Sequence, residues 1–128
     1  MAHEPLPIRS EEPPPDDSVI VIRAGVMSTT SVEESASRCL EEYGVLGISV
    51  EAAIGMSVLE ACGSRRIRRY RMVRLSTFGR VREYFALLPT FDAPHFTLLL
   101  PDLAETTLAR LDRCFDAPIP NPARTPRG

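Results

Sequence analysis

The chain has 128 residues, a formal net charge of -2, 44% hydrophobic residues and no tryptophan. That length suits one packed domain, and the composition is too apolar for wholesale disorder. No apolar run approaches a membrane span and no secretory leader opens the sequence, which reads as a cytoplasmic protein with no membrane partner. Every cationic side chain is arginine, and there is no lysine or glutamine. This bias fits a GC-rich, bacterial genome and cautions against reading arginine alone as a binding signal. Cys39, Cys62 and Cys114 are odd in number and lack zinc spacing, so they read as reduced, buried small hydrophobes, with no metal and no cofactor expected.

Residues 1–17 contain five prolines and five carboxylates against one arginine, a composition expected to form a disordered acidic tail. SVIVIR, residues 18–23, is a β-branched run fit for a strand buried on both faces. Ser31 and Glu34 have capping-box spacing, and Val32, Ala36, Cys39, Leu40 and Tyr43 follow helical periodicity up to Gly44. VLGISVEA, residues 45–52, predicts a second strand. Ser57 and Glu60 repeat the capping-box spacing before a short helix. This alternation resembles a crossover unit with two parallel strands flanking a helix.

RRIRRYRMVRLS reads as a basic turn leading into a strand at residues 71–75. Ser76 or Thr77 then caps a helix with Phe78, Val81 and Phe85 on one face, despite the handicap of Gly79. FALLPT and HFTLLLP, separated by FDAP, predict a hairpin; Asp102 and Glu105 open a last helix with Leu108, Leu111 and Phe115 inward. The summed order is β-α-β-α-β-α-β-β-α. It describes one small α/β (or α+β) domain over residues 18–115, a mixed sheet of about five strands covered by helices. Residues 116–128, with four prolines, form an extended C-terminal tail.

The segment from Arg65 to Arg82 holds eight arginines and no acidic residue. Arg65, Arg66, Arg68, Arg69, Arg71 and Arg74 are the candidate partner- or phosphate-binding residues. With Tyr70 and Phe78 among them they offer charge neutralisation and stacking surface for nucleic acid. Against this, Glu33, Glu34, Glu41, Glu42, Glu51 and Glu60 lie upstream and are available to neutralise the run, as is the acidic N-terminus.

His95, at the head of a strand and three residues after Asp92, is the candidate catalytic residue, as general base or phosphate contact. The arrangement of helix, strand, turn, histidine and strand over Ser76 to Pro101 resembles the HicA class of small messenger-RNA-cleaving toxins. There a histidine opens a strand of a double-stranded-RNA-binding-like fold. The resemblance implies ribonuclease chemistry at His95, although Ala93-Pro94 replaces the family's Gly-Ser before the histidine. VIRAG, ending in the strand with Arg23, is similar to a strand end of the ADP-ribosyltransferases, which would imply dinucleotide binding at Arg23; their paired-glutamate motif is absent. Ser49, Ser76 and Thr77 lack a nucleophile elbow. The domain lacks the convergent titratable groups of a clear active site, so binding of another protein through the arginine-rich surface is the leading expectation. Nucleic-acid binding, with or without toxin-like cleavage, is the alternative.

Overall fold

The computed structural model describes residues 3–22 and 28–124. Its elements are β1 (Val19–Ile22), α1 (Thr29–Tyr43), β2 (Gly47–Ala53), α2 (Val58–Cys62), β3 (Met72–Thr77), α3 (Phe78–Arg82), β4 (Ala86–Pro89), β5 (His95–Leu99), α4 (Glu105–Arg113) and β6 (Ile119–Pro120). They form a single α/β domain around one six-stranded sheet of order β4-β5-β2-β1-β3-β6. The expected succession of strands and helices is present, followed by the short β6.

Two expectations about the sheet are corrected. It is antiparallel throughout rather than mixed, and β1 and β2, expected to be parallel across a crossover, are direct antiparallel neighbours with Val21 opposite Glu51. Hydrophobic periodicity identifies an element but not its direction, so the alternation was compatible with either arrangement. The sixth strand is the Ile-Pro dipeptide pairing with Met72 and Val73, within the segment read as a tail.

Strand parity sorts the side chains into two clusters. Ile20 and Ile22 of β1 join Val50, Ala52, Phe96 and Leu98, over which Phe78 and Val81 of α3 and Leu108 and Leu111 of α4 close the larger cluster. Phe78 meets Phe96 edge to face, with ring centroids 5.0 Å apart. Val21, Val73, Ala61, Cys62 and Ile67 make the smaller cluster on the opposite side. The doubly buried run of β1 is thus explained by cover on both faces.

The starts of α1, α2 and α3 follow side-chain capping, whereas Ala104 at the start of α4 supplies no cap. Ser28, not Ser31, caps α1 by accepting from the Ser31 amide, so the helix begins one turn before the expected box. At α2 the Ser57–Glu60 capping box is complete, and Thr77 caps α3.

The segment 3–17, read from composition as a disordered tail, follows the domain surface. The Glu4 amide donates to the Glu42 carbonyl, and Ile8 bridges to Thr90 beside the edge strand β4. Arg9 donates to the carbonyls of Thr90 (2.6 Å) and His95 (2.8 Å). Composition weighs burial against entropy but does not register one arginine clamping several carbonyls. Gly79 is explained here too, because a Cβ on it would stand 3.0 Å from Asp16 Cβ, where the segment crosses α3. Among the described residues no helix is long and apolar enough to cross a membrane.

Candidate functional site

Folding divides the arginine run into two sets. Arg74 is buried on β3, on the α4 side of the sheet. It donates to Asp112 Oδ1 (2.5 Å) and to the carbonyls of Asp112, Phe115 and Asp116 (2.8–2.9 Å), closing the C-terminal end of α4. Arg80 pairs with Asp116 at 2.8 Å and Arg82 with Asp16 at 3.1 Å. These three guanidinium groups are held by carboxylates remote in sequence. Arg71 is exposed, and its carbonyl accepts from the Asn121 amide at 2.7 Å.

The other set is gathered on the tight turn after α2. The amides of Ile67 and Arg68 both donate to the Ser64 carbonyl, and Tyr70 N–H to Ile67 O. Ile67, 1% exposed, plugs the smaller hydrophobic cluster. Its burial leaves Arg65, Arg66, Arg68 and Arg69 around the rim. The turn is fastened from outside by the chain's single asparagine: Asn121 Nδ2 donates to the carbonyls of Ile67 (3.1 Å) and Tyr70 (2.9 Å).

Between this turn and the Asp92–Pro94 corner lies a groove of about 590 Å³, lined by the four arginines, Ser64, Glu51 and the corner itself. Glu51 projects from β2, the central strand at this point, with Val21 and His95 as its register partners on either side. It is 2% exposed. Burial pushes its carboxyl up to about 7 against the opposing pull of the Arg66 and Arg9 charges. Arg66 Nε approaches Glu51 Oε1 only to 3.8 Å, beyond hydrogen-bond range. Glu51 Oε2 and Ser64 Oγ are both buried, with no hydrogen-bond partner among the described residues. Of the six upstream glutamates considered as neutralising partners, only Glu51 forms an ion pair with an arginine among the described residues. Arg65, Arg68 and Arg69 have no such pair there.

His95 does open β5, yet it is 2% exposed. Its Nδ1 lies 2.9 Å from Thr90 Oγ1, which is itself 2.7 Å from Thr97 Oγ1, and Phe91 packs edge-on at 5.1 Å. This is a buried polar row beneath the surface rather than a histidine presented to a phosphodiester. Arg23 lies outside the described residues. Ser76 Oγ donates to the Cys114 carbonyl at 2.5 Å, and Thr77 serves as a helix cap. Among the described residues no three His, Cys, Asp or Glu side chains gather closely enough for a metal.

The groove therefore unites Arg65, Arg66, Arg68 and Arg69, and leaves Arg71, Arg74 and His95 elsewhere. Sequence reasoning missed Glu51, Ser64 and Asp92 as members. One signal was available: in GISVEAA the glutamate sits in a strand otherwise written in small and apolar residues, where a carboxylate is an anomaly that marks a site. Comparison with known proteins finds no matching family model, no matching curated protein and no matching solved structure.

Proposed function

We propose that this protein is a macromolecule-binding domain that docks an acidic element of a partner protein in the groove between the Ser64–Arg69 turn and the Asp92–Pro94 corner. The observation behind the reading is the contrast within the run. Arg65, Arg68 and Arg69 have no ion pair among the described residues, while Arg74, Arg80 and Arg82 are each neutralised within the domain. Four guanidinium groups packed into five positions on a fastened turn give a preorganised anion receptor.

A protein is favoured over nucleic acid by the extent and content of this surface. A nucleic-acid backbone needs a basic stripe that follows successive phosphates, whereas here Asp16, Asp112 and Asp116 stand beside the remaining arginines. Carboxylates at the base and wall of the groove, Glu51 and Asp92, repel a polyanion but tolerate one compact anionic group.

Fluorescence anisotropy of a labelled acidic peptide and of a labelled mixed RNA, each at about 50 and about 200 mM salt, tests the reading. The acidic peptide is expected to bind and to be released by the double change Arg68→Glu and Arg69→Glu at unchanged melting temperature. Tighter binding of RNA, with an affinity that collapses by orders of magnitude at the higher salt, would establish the nucleic-acid alternative instead.

A further inference from the structure

We infer that the groove recognises a phosphate monoester, with Arg65, Arg66, Arg68 and Arg69 taking its charge and Ser64 and Glu51 hydrogen-bonding it at the floor. The inference rests on the docking reading above and names the chemistry of the docked group.

Charge is the first argument. With both Glu51 and Asp92 ionised, the four arginines still leave the groove with a surplus of two positive charges. A single carboxylate supplies half of what is needed. A phosphate monoester brings about -1.5 to -2 at neutral pH and three acceptor oxygens in the geometry that guanidinium groups grip bidentately.

The floor supplies the second and independent argument. Glu51 Oε2 and Ser64 Oγ are buried, partnerless among the described residues, and both belong to residues lining this cavity. A buried polar atom without a partner costs free energy that a ligand recovers by bonding to it. The hydroxyl of Ser64 donates to any oxyanion. The carboxyl of Glu51 is more selective. When it holds a proton it donates to a ligand oxygen; when it is ionised it only accepts, and a ligand without a proton is repelled. A phosphate monoester, whose second ionisation lies near pH ~6, can hold the shared proton itself and donate to the carboxylate. Sulfate cannot.

Burial holds the Glu51 carboxyl near neutrality, so the exchange between the two arrangements falls in the working range. The charges that bear on it are Arg66 from the turn and Arg9 from the N-terminal segment; of the other titratable neighbours, Asp92 at the corner lines the same groove and His95 is the register partner on β5. The cavity, about 590 Å³, has room for a phosphate and the first atoms of its carrier.

The test is calorimetric titration of the full chain at about pH 6 and about pH 8, at fixed ionic strength. The probes are a phosphoserine peptide with neutral flanks, the same peptide unphosphorylated, inorganic phosphate and inorganic sulfate. The phosphopeptide is expected to bind at least about tenfold more tightly than its unphosphorylated form, a difference of one charge-assisted hydrogen bond or more. Sulfate is expected to lose about tenfold more affinity than phosphate between the two pH values, and Glu51→Gln to erase that gap. Ser64→Ala, which leaves every charge in place, is expected to weaken phosphate at both pH values. Inorganic phosphate binding as tightly as the phosphopeptide would assign the site to a small phosphorylated molecule, with the same recognition chemistry. Equal phosphate and sulfate affinities at both pH values, or phosphate affinity unchanged by Arg66→Ala, would overturn the inference. Failure of phosphate while the acidic peptide still responds to charge reversal at Arg68 and Arg69 would remove this inference alone. Indifference of the acidic peptide to that reversal would remove the docking reading.

Discussion

Replacing Glu51 by glutamine is the perturbation whose magnitude follows most directly from the structure. In the unfolded chain this carboxyl ionises at its ordinary value of 4.5; in the fold, burial raises it to about 7. Between those values the native state holds a proton that the unfolded state has released, so stability falls as pH rises. The loss begins near 4.5 and is complete above about 7. At 1.36 kcal/mol per unit the full cost is about 3 kcal/mol. Glutamine keeps the volume and cannot ionise. The ion pair lost with it is 3.8 Å long to a half-exposed Arg66, and such pairs contribute little. The variant should therefore gain on the parent by about 3 kcal/mol between about pH 4.5 and pH 8, which corresponds to roughly 10 °C in melting temperature at the upper end. Urea denaturation of both proteins across that range measures the difference directly, and the titrations of the other carboxylates cancel in the comparison. Stability curves that stay parallel from acid to pH ~8 would show that Glu51 ionises as a solvated carboxylate, and would remove its assigned role at the groove floor.

Substitutions at three further residues have expected outcomes. Arg74→Ala should cost about 3 kcal/mol in urea denaturation, because three α4-end carbonyls and the Asp112 carboxylate lose a buried donor. Arg74→Lys should recover only part of this, since an ammonium group lacks the planar fork; full recovery would mean that charge alone matters there. Thr90→Val should cost about 1–3 kcal/mol by stripping His95 Nδ1 and Thr97 Oγ1 of a shared partner, and a neutral result would place that row in contact with solvent. Asn121→Ala should cost about 2 kcal/mol and weaken acidic-peptide binding while removing no charge, because the turn loses two of its fastenings. Binding unchanged in that variant would show that the turn's own hydrogen bonds and the buried Ile67 hold it without Asn121.

Much of the fold was legible because its elements are written in strong local signals. The capping box at Ser57, the cap at Thr77 and the hairpin around FDAP are where residue chemistry put them. Strand direction was not legible: Val19–Ile22 and Gly47–Ala53 pair antiparallel through a register that no local pattern encodes. The path of residues 3–17 was equally hidden, since it depends on Arg9 meeting the carbonyls of Thr90 and His95, more than eighty positions away in sequence.

The arginine run shows where local reading stops and where it could have gone further. Arg74 shares a strand with Ser76 at two-residue spacing, and both face Ile20 and Ile22 rather than the turn, as strand parity requires. That parity is visible in MVRLST and separates Arg74 from the arginines before it. The pairing of Arg80 with Asp116 and Arg82 with Asp16 could not be read, because both carboxylates arrive from distant segments. Around Ile67 the reverse holds: one buried side chain in RRIRR fixes the turn, and the two flanking pairs are turned outward together. On the proposed docking reading, the groove is a short-ranged receptor. With a net charge of -2 and three of the run's eight arginines neutralised internally, the domain has little field to steer ligands beyond the ~8–10 Å screening length, so on that reading its four groove arginines act on an anion already at the groove. Binding there should show a shallow salt dependence, near that of one or two ion contacts, in contrast to the steep loss expected of a protein that neutralises a nucleic-acid backbone.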